Sequence, residues 1–231
     1  MSSTSLTMSA QPRPDDPFRK DRESGTKIAS FHGEEVLMLL GWKDIRAAAR
    51  DFSNFDSSVL GRVPIPPEVG IRSFRQLPIE TNPPDHAKWK SIVLPFFRRP
   101  MQPVAKEEME SVVDDHLNRA VNQGSVETVG ELALPLQSAA LAVLLDTDRS
   151  IAAEWQGWGL HAFRTNGKND PAKSERFLEF IDRMLKRGLS DPEMGLFAAL
   201  HDASIDGRAL THDEKRGICH LALAGGRDTV I

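Results

Sequence analysis

The stretch Ile218-Cys-His-Leu-Ala-Leu-Ala-Gly-Gly-Arg-Asp-Thr-Val-Ile231 decides the fold. Just upstream, Thr211-His-Asp-Glu214 is a capping box, which predicts a helix opening there and running to Ile231. Two adjacent glycines inside a helix each cost roughly 1 kcal/mol relative to alanine, so a kink or a group lying on the bare backbone must offset them. The 3/4 spacing puts Ile218, Leu221, Ala222, Gly225 and Thr229 on one face. That face thins to backbone at Gly225 and then presents a hydroxyl, with the carboxylate of Asp228 beside it. A gap, an acid and an alcohol on a buried helix suit a site that admits a small molecule and passes protons to it. Taken alone, the segment is read more simply: glycines for close helix packing and a Thr229 hydroxyl back-bonded to a carbonyl.

A second segment carries charge. Asn82 as N-cap, Pro83 at the first helical position and Asp85 in the first turn predict a helix that ends near Pro95. His86 and Lys90 are four residues apart on one face and together make a clamp for an anion. Lys88, Arg98 and Arg99 add positive charge around them. A solvated basic face with a half-buried Trp89 accounts for this helix equally well when it is taken alone.

Outward from these two segments the chain is mainly helical. Residues 1–27 are rich in Ser, Pro and charge and read as a disordered leader, with the folded domain over 28–231. Glu35 to Leu40 is an apolar run, read as a strand, and Lys43 to Arg50 a helix of strong formers. Asp51 to Asn82 is broken by Pro and Gly and has no period; a loop that long reads as a wall or lid over a site. Helices are expected over 105–121, with Met109, Val112, Val113, Leu117 and Val121 as its apolar stripe, and around 128–145, 150–164, 173–187 and 192–201. The fold class is mainly α with a minor β element near the N-terminus.

Together the two segments resemble the cytochrome P450 family. Thr81-Asn-Pro-Pro-Asp-His-Ala-Lys-Trp-Lys90, followed by Pro95-Phe-Phe97, is similar to the family's C helix with its D-P-P-x-H-x-x-x-R pattern. Ala224-Gly-Gly-Arg-Asp-Thr229 is similar to the A-G-x-D-T motif of its central I helix, and the order of helices between them also agrees. Gly41-Trp-Lys-Asp-Ile-Arg46 and Asp51-Phe-Ser-Asn-Phe55 look like the family's strand, B helix and following Asp-x-x-x-Phe.

The resemblance implies the N-terminal part of the P450 fold and a haem-thiolate monooxygenase that inserts one oxygen atom of O2 into a small hydrophobic organic substrate. It implies that haem b is the cofactor, with His86 and Lys90 on a propionate and Gly225 and Gly226 at the bend over the iron. Asp228 and Thr229 would be the acid–alcohol pair that delivers protons to the reacting oxygen. Lys90 stands where the family usually has arginine, so a bidentate contact is lost. Val230 stands where many members carry a second hydroxyl. The loop over 51–82 and the helices around 150–187 would frame the substrate pocket. The basic surface of Lys88, Arg98 and Arg99 would dock a ferredoxin-like or flavoprotein electron donor.

The sequence also departs from the family's requirements. A P450 needs a cysteine thiolate on the iron, and the one cysteine, Cys219, lies ten residues before Thr229, about 15 Å along the same helix. In the family the thiolate binds the opposite face of the haem, so Cys219 is read as a small buried residue and no metal ligand is assigned. The family's Glu-x-x-Arg pair and cysteine loop come later in its order than any segment matched here. The expectation is therefore an N-terminal fragment lacking the haem-ligand region and inactive alone. The rival reading is a haem-free helical binding or interaction module.

Composition bounds the rest. The 231 residues carry 29 Lys and Arg against 33 Asp and Glu, a formal charge of −4 that gives no electrostatic reason to expect nucleic acid. A single cysteine excludes an intrachain disulfide framework and, without a secretory signal, points to a reducing, cytoplasmic setting. The longest apolar-leaning stretch, Leu132 to Leu145, is too short for a bilayer, so no membrane partner is expected. Gly157-Trp-Gly-Leu-His-Ala162 fits a dinucleotide fingerprint in letters, but helix rather than strand precedes it. Asp202 to Asp213 imitates a calcium loop without its closing Glu.

Overall fold

The computed structural model describes residues 21–24, 26–31, 34–63, 68, 70–159, 161–166 and 168–228. The chain divides into two compact units, Met1–Phe55 and Asp56–Ile231.

In the first unit, β1 (Thr26–Phe31) and β2 (Glu34–Leu39) pair antiparallel, Thr26 opposite Leu39 and Phe31 opposite Glu34, and α1 (Trp42–Ala48) follows. β2 and α1 are the strand and helix expected over 35–40 and 43–50. The sequence reading lacked β1, which begins at Thr26, inside the expected leader; Lys27 also pairs with Asp21. Residues 1–20 of that leader lie outside the described residues.

The second unit is helical: α2 (Asp85–Arg98), α3 (Pro103–Gln123), α4 (Leu134–Leu144), α5 (Ala152–Gln156), α6 (Pro171–Gly188), α7 (Leu196–Asp202) and α8 (His212–Asp228). Two minor hairpins interrupt it, β3 (Arg164–Thr165) with β4 (Lys168–Asn169), and β5 (Ser204–Ile205) with β6 (Arg208–Ala209). The core is built by α6, whose Phe177, Phe180, Ile181, Met184 and Leu185 recur at 3/4 spacing and are buried. In the same cluster lie Trp155 of α5, Phe197 and Leu200 of α7, and Ile218, Cys219 and Leu223 of α8. The capping box opens α8 as read: the Thr211 amide donates to Glu214 Oε2 at 2.7 Å and the Glu214 amide to Thr211 Oγ1 at 3.3 Å.

Several expectations are corrected. α2 begins at Asp85 and runs through Pro95 to Arg98. Pro95 lacks only the N–H that would reach Ser91, and both residues are exposed, so solvent takes the orphaned carbonyl. Asn82 is no N-cap; its side chain accepts from the Ser57 amide at 3.1 Å and donates to Asp56. α5 stops at Gln156 rather than continuing to 164, because the chain turns at Gly157 and Gly159 takes a φ of +75°. α3 buries only Ala105 and Val112, leaving Leu117 and Val121 of its stripe exposed. The calcium-like segment is the β5–β6 hairpin turned by Asp206 and Gly207, both at positive φ, and no metal-holding group of His, Cys, Asp or Glu occurs among the described residues.

Between Asp56 and Pro84 the described chain has no regular element, and its segment around Arg75 lies directly on α8. A Cβ at Gly217 would collide with the Arg75 carbonyl, and the Leu77 amide donates to the Gly217 carbonyl at 3.4 Å. Gly217→Val is therefore expected to lower the urea midpoint by the equivalent of about 1–3 kcal/mol, because backbone rather than a flexible side chain must give way. An unchanged midpoint would refute that contact.

Candidate functional site: an apolar cavity against the central helix

Four segments enclose a cavity of about 460 Å³. α8 gives it Ile218, Leu221, Ala222, Gly225 and Gly226; α2 gives His86, Lys90, Val93, Leu94 and Phe97; α4 gives Leu141 and Leu144; Leu77 and Pro78 close it. Its size is that of a small-molecule site, and its walls are apolar apart from the two cationic or potentially cationic residues of α2.

The structure brings His86, Lys90, Gly225 and Gly226, the residues that the resemblance implied for the cofactor, to one cavity. The two glycines differ. A Cβ at Gly225 would meet nothing within 4 Å, whereas one at Gly226 would press on the Leu141 side chain. Gly225 is the opening, and Gly226 is a packing glycine that lets α4 approach. Gln137 of α4 donates from its side-chain amide to the Gly226 and Arg227 carbonyls, both at 2.8 Å, securing the end of α8 beside the cavity. Asp228 is the last described residue of α8; its side chain, Thr229 and Val230 lie outside what the structure describes.

Cys219 is fully buried in the core and does not line this cavity. Burial, with a lesser push from the Asp182 carboxylate, holds its thiol well above the ordinary range. This is the inert, small core residue expected from its position.

The expected basic docking surface is corrected by its neighbours. Lys88 is paired with Asp85 and Asp206, each at 3.0 Å, and Arg99 with Asp146 at 2.7 Å. Arg98 and Lys90 are exposed. Asp206 and Asp146 are remote in sequence, so no local charge pattern could show that they neutralise the face.

On the other side of α8 lies a polar cluster that the sequence reading did not find. Glu80, fully buried, accepts from the Gly61 amide at 2.9 Å, the Gln76 amide at 2.8 Å and both terminal nitrogens of Arg72. Arg72 also donates to Glu68 at 2.6 Å and to the Phe74 carbonyl at 2.5 Å, and Arg164 of β3 reaches Glu68 at 3.2 Å. Burial works against the Arg72 charge, but its bonds to Glu80 and Glu68 outweigh it and raise the guanidinium pKa. Gln76, held by this cluster, donates to His220 Nδ1 at 2.7 Å. His220 is buried among Phe74, Phe163 and Phe177, with centroid distances of 5.7, 5.1 and 5.0 Å. Burial first, then the charges of Arg72 and Arg164, push its pKa down to about 3, so it is neutral at ordinary pH.

No family model matches the chain. It is 22% identical to cytochrome P450 107B1 of Saccharopolyspora erythraea over 94% of its own length and 58% of that protein, and 26% identical to the P450 monooxygenase PikC of Streptomyces venezuelae over 89% and 50%. Among solved structures it is similar to a carbohydrate active P450, with 38% identity and a TM-score of 0.85 over 93% of this chain and 56% of that one. The bottromycin biosynthetic protein SalCYP, at 18% identity and a TM-score of 0.70, shares the fold. The chain belongs to the cytochrome P450 family. Its mostly helical architecture with small antiparallel sheets is a segment of the P450 fold, and it spans about half the length of the relatives it matches.

Proposed function

We propose that the chain is part of a haem-thiolate monooxygenase that inserts one oxygen atom of O2 into a hydroxyl-rich organic substrate of the carbohydrate class. The single observation that carries the haem half of this reading is the cavity on α8: apolar walls, open space at Gly225, and His86 with Lys90 on one side. Those residues fit the group, since a porphyrin presents two apolar faces and an anionic edge. When bound, haem supplies the activation of dioxygen. Around it this chain's residues would divide the work: His86 and Lys90 hold the propionate, Gly225 leaves space, and the Asp228 carboxylate and Thr229 hydroxyl hold and pass protons. Electrons would come from a ferredoxin-like or flavoprotein donor. No helix among the described residues is long and apolar enough to cross a membrane.

The substrate half departs from the hydrophobic molecule the resemblance implied. One observation supports it: the 38% identical structure is described as carbohydrate active.

Titration with haemin, followed by the Soret band, tests the first half. Lys90→Ala is expected to weaken uptake about fivefold or more, and Lys90→Arg to strengthen it by offering a two-pronged contact. Gly225→Leu is expected to block uptake while leaving the urea midpoint nearly unchanged, because its side chain enters open space. Equal haemin uptake by wild type and Gly225→Leu would remove this cavity as the haem site.

A further inference from the structure

We propose that the cleft between the first turns of α2 and α8 is a binding site for a neutral sugar, separate from the cavity assigned to haem. This goes beyond the monooxygenase reading above and stands or falls apart from it.

The cleft measures about 440 Å³, within the range of small-molecule sites. One of its walls is the stretch before α2. Burial alternates along it: Arg72, Phe74 and Gln76 are buried, whereas Ser73 and Arg75 are exposed and line the cleft. The stretch is fixed in place. The Arg75 carbonyl abuts Gly217 of α8, the Leu77 amide donates to the Gly217 carbonyl, and the Gln76 amide is held by Glu80. A preformed cleft spares a ligand the cost of ordering its walls.

The lining combines two kinds of surface. Leu77 and Trp89 are buried and apolar, and the rim around them is polar. Much of the rim's hydrogen-bonding capacity is unused. Arg75 uses one terminal nitrogen on the Ser58 hydroxyl at 2.5 Å and the Glu80 carbonyl at 3.4 Å; its Nε and other terminal nitrogen have no partner among the described residues. The Ser73 hydroxyl has none there either. Asp213 makes only a 3.8 Å ion pair with Arg216, and Asp85 meets Lys88 through one carboxylate oxygen.

Charge selects against an ion. Asp85, Asp213 and Glu214 share the rim with Arg75, and each carboxylate has its own cation outside the cleft: Lys88 at 3.0 Å, Arg216 at 3.8 Å and Arg208 at 2.6 Å. An anion would face three carboxylates, and a cation would face Arg75 and compete with three cations already in place. A sugar ring is the neutral molecule that matches the lining. Its C–H face is apolar, and its hydroxyls both donate and accept. The planar guanidinium of Arg75 can donate to two neighbouring hydroxyl oxygens, and the Asp213 carboxylate can accept from two neighbouring hydroxyls. Asp213 lies twelve residues before Gly225, about 18 Å along α8, so a sugar held there is away from the haem cavity.

The test is a titration of 15N-labelled protein with methyl glucoside, methyl galactoside and methyl mannoside. At least one is expected to saturate with a Kd of about 0.1–10 mM, moving the Arg75 Nε–H and the Ser73 and Asp213 amide signals more than those of Leu221 to Gly226. Arg75→Met and Asp213→Ala are each expected to weaken that glycoside about fivefold or more, and Arg75→Lys, which keeps the charge but not the fork, to recover little of the loss. Should Arg75→Met lower the urea midpoint, Asp213→Ala, which alters an exposed side chain, carries the test. Glucosamine and glucuronate are expected to bind no tighter than the neutral glycoside. Four results overturn the proposal: no saturable shift with any glycoside up to about 50 mM, unchanged affinity in Asp213→Ala, displacement of the glycoside by haemin, or tenfold tighter binding of either charged sugar. Haemin uptake by Lys90 and Gly225 variants is read separately, so failure of the sugar site leaves the haem reading standing, and the reverse.

Discussion

Glu80→Ala is expected to destabilise the protein by about 3–5 kcal/mol, read as a fall in the urea midpoint. The size follows from what the carboxylate leaves behind. Glu80 is wholly buried and accepts from Arg72 and from the amides of Gly61 and Gln76, so its removal takes one of two carboxylates from a buried guanidinium and strands two backbone donors. Glu80→Gln keeps the volume and one acceptor and should fall between. A loss under 1 kcal/mol for Glu80→Ala would show that the cluster is open to water.

Acid sensitivity gives the second large effect. His220 has a folded pKa of about 3 against an ordinary 6.5. Between those values the unfolded chain binds a proton that the native chain refuses, so stability falls as pH drops below 6.5. The loss grows by about 1.4 kcal/mol per pH unit and levels off below pH 3. Above pH 6.5 both states are neutral and the residue contributes no slope. Urea midpoints of wild type and His220→Phe between pH 7.5 and 4 should therefore shift in favour of the variant as the pH falls, by about 2–3 kcal/mol at pH 4.5 relative to pH 7.5. Parallel curves would mean that the imidazole protonates in place.

Much of this was legible in the sequence because it is local. The Thr211–Glu214 capping box, the 3/4 spacing of Ile218, Leu221, Ala222 and Gly225, and the His86–Lys90 pair depend on neighbours within a few turns; the structure forms the first and sets the other two around one cavity. Pro95 misled because a proline ends a helix only where its lost bond cannot be replaced by water. The stripe on α3 misled because amphipathic spacing says which face is apolar, not that another element covers it. The Gln76–His220 bond joins residues 144 apart, and Glu68, Arg72 and Glu80 sit in a Pro- and Gly-broken stretch with no period. Only tertiary placement makes them a unit.

The backbone contact at Gly217 bears on how this protein can be redesigned. A stretch sutured to the central helix at that point and anchored again through Glu80 has a fixed register from Arg72 to Glu80. Inserting or deleting a residue there would shift both anchorages together. Redesign of this stretch is therefore better sought by exchanging side chains on an unaltered frame than by lengthening the loop.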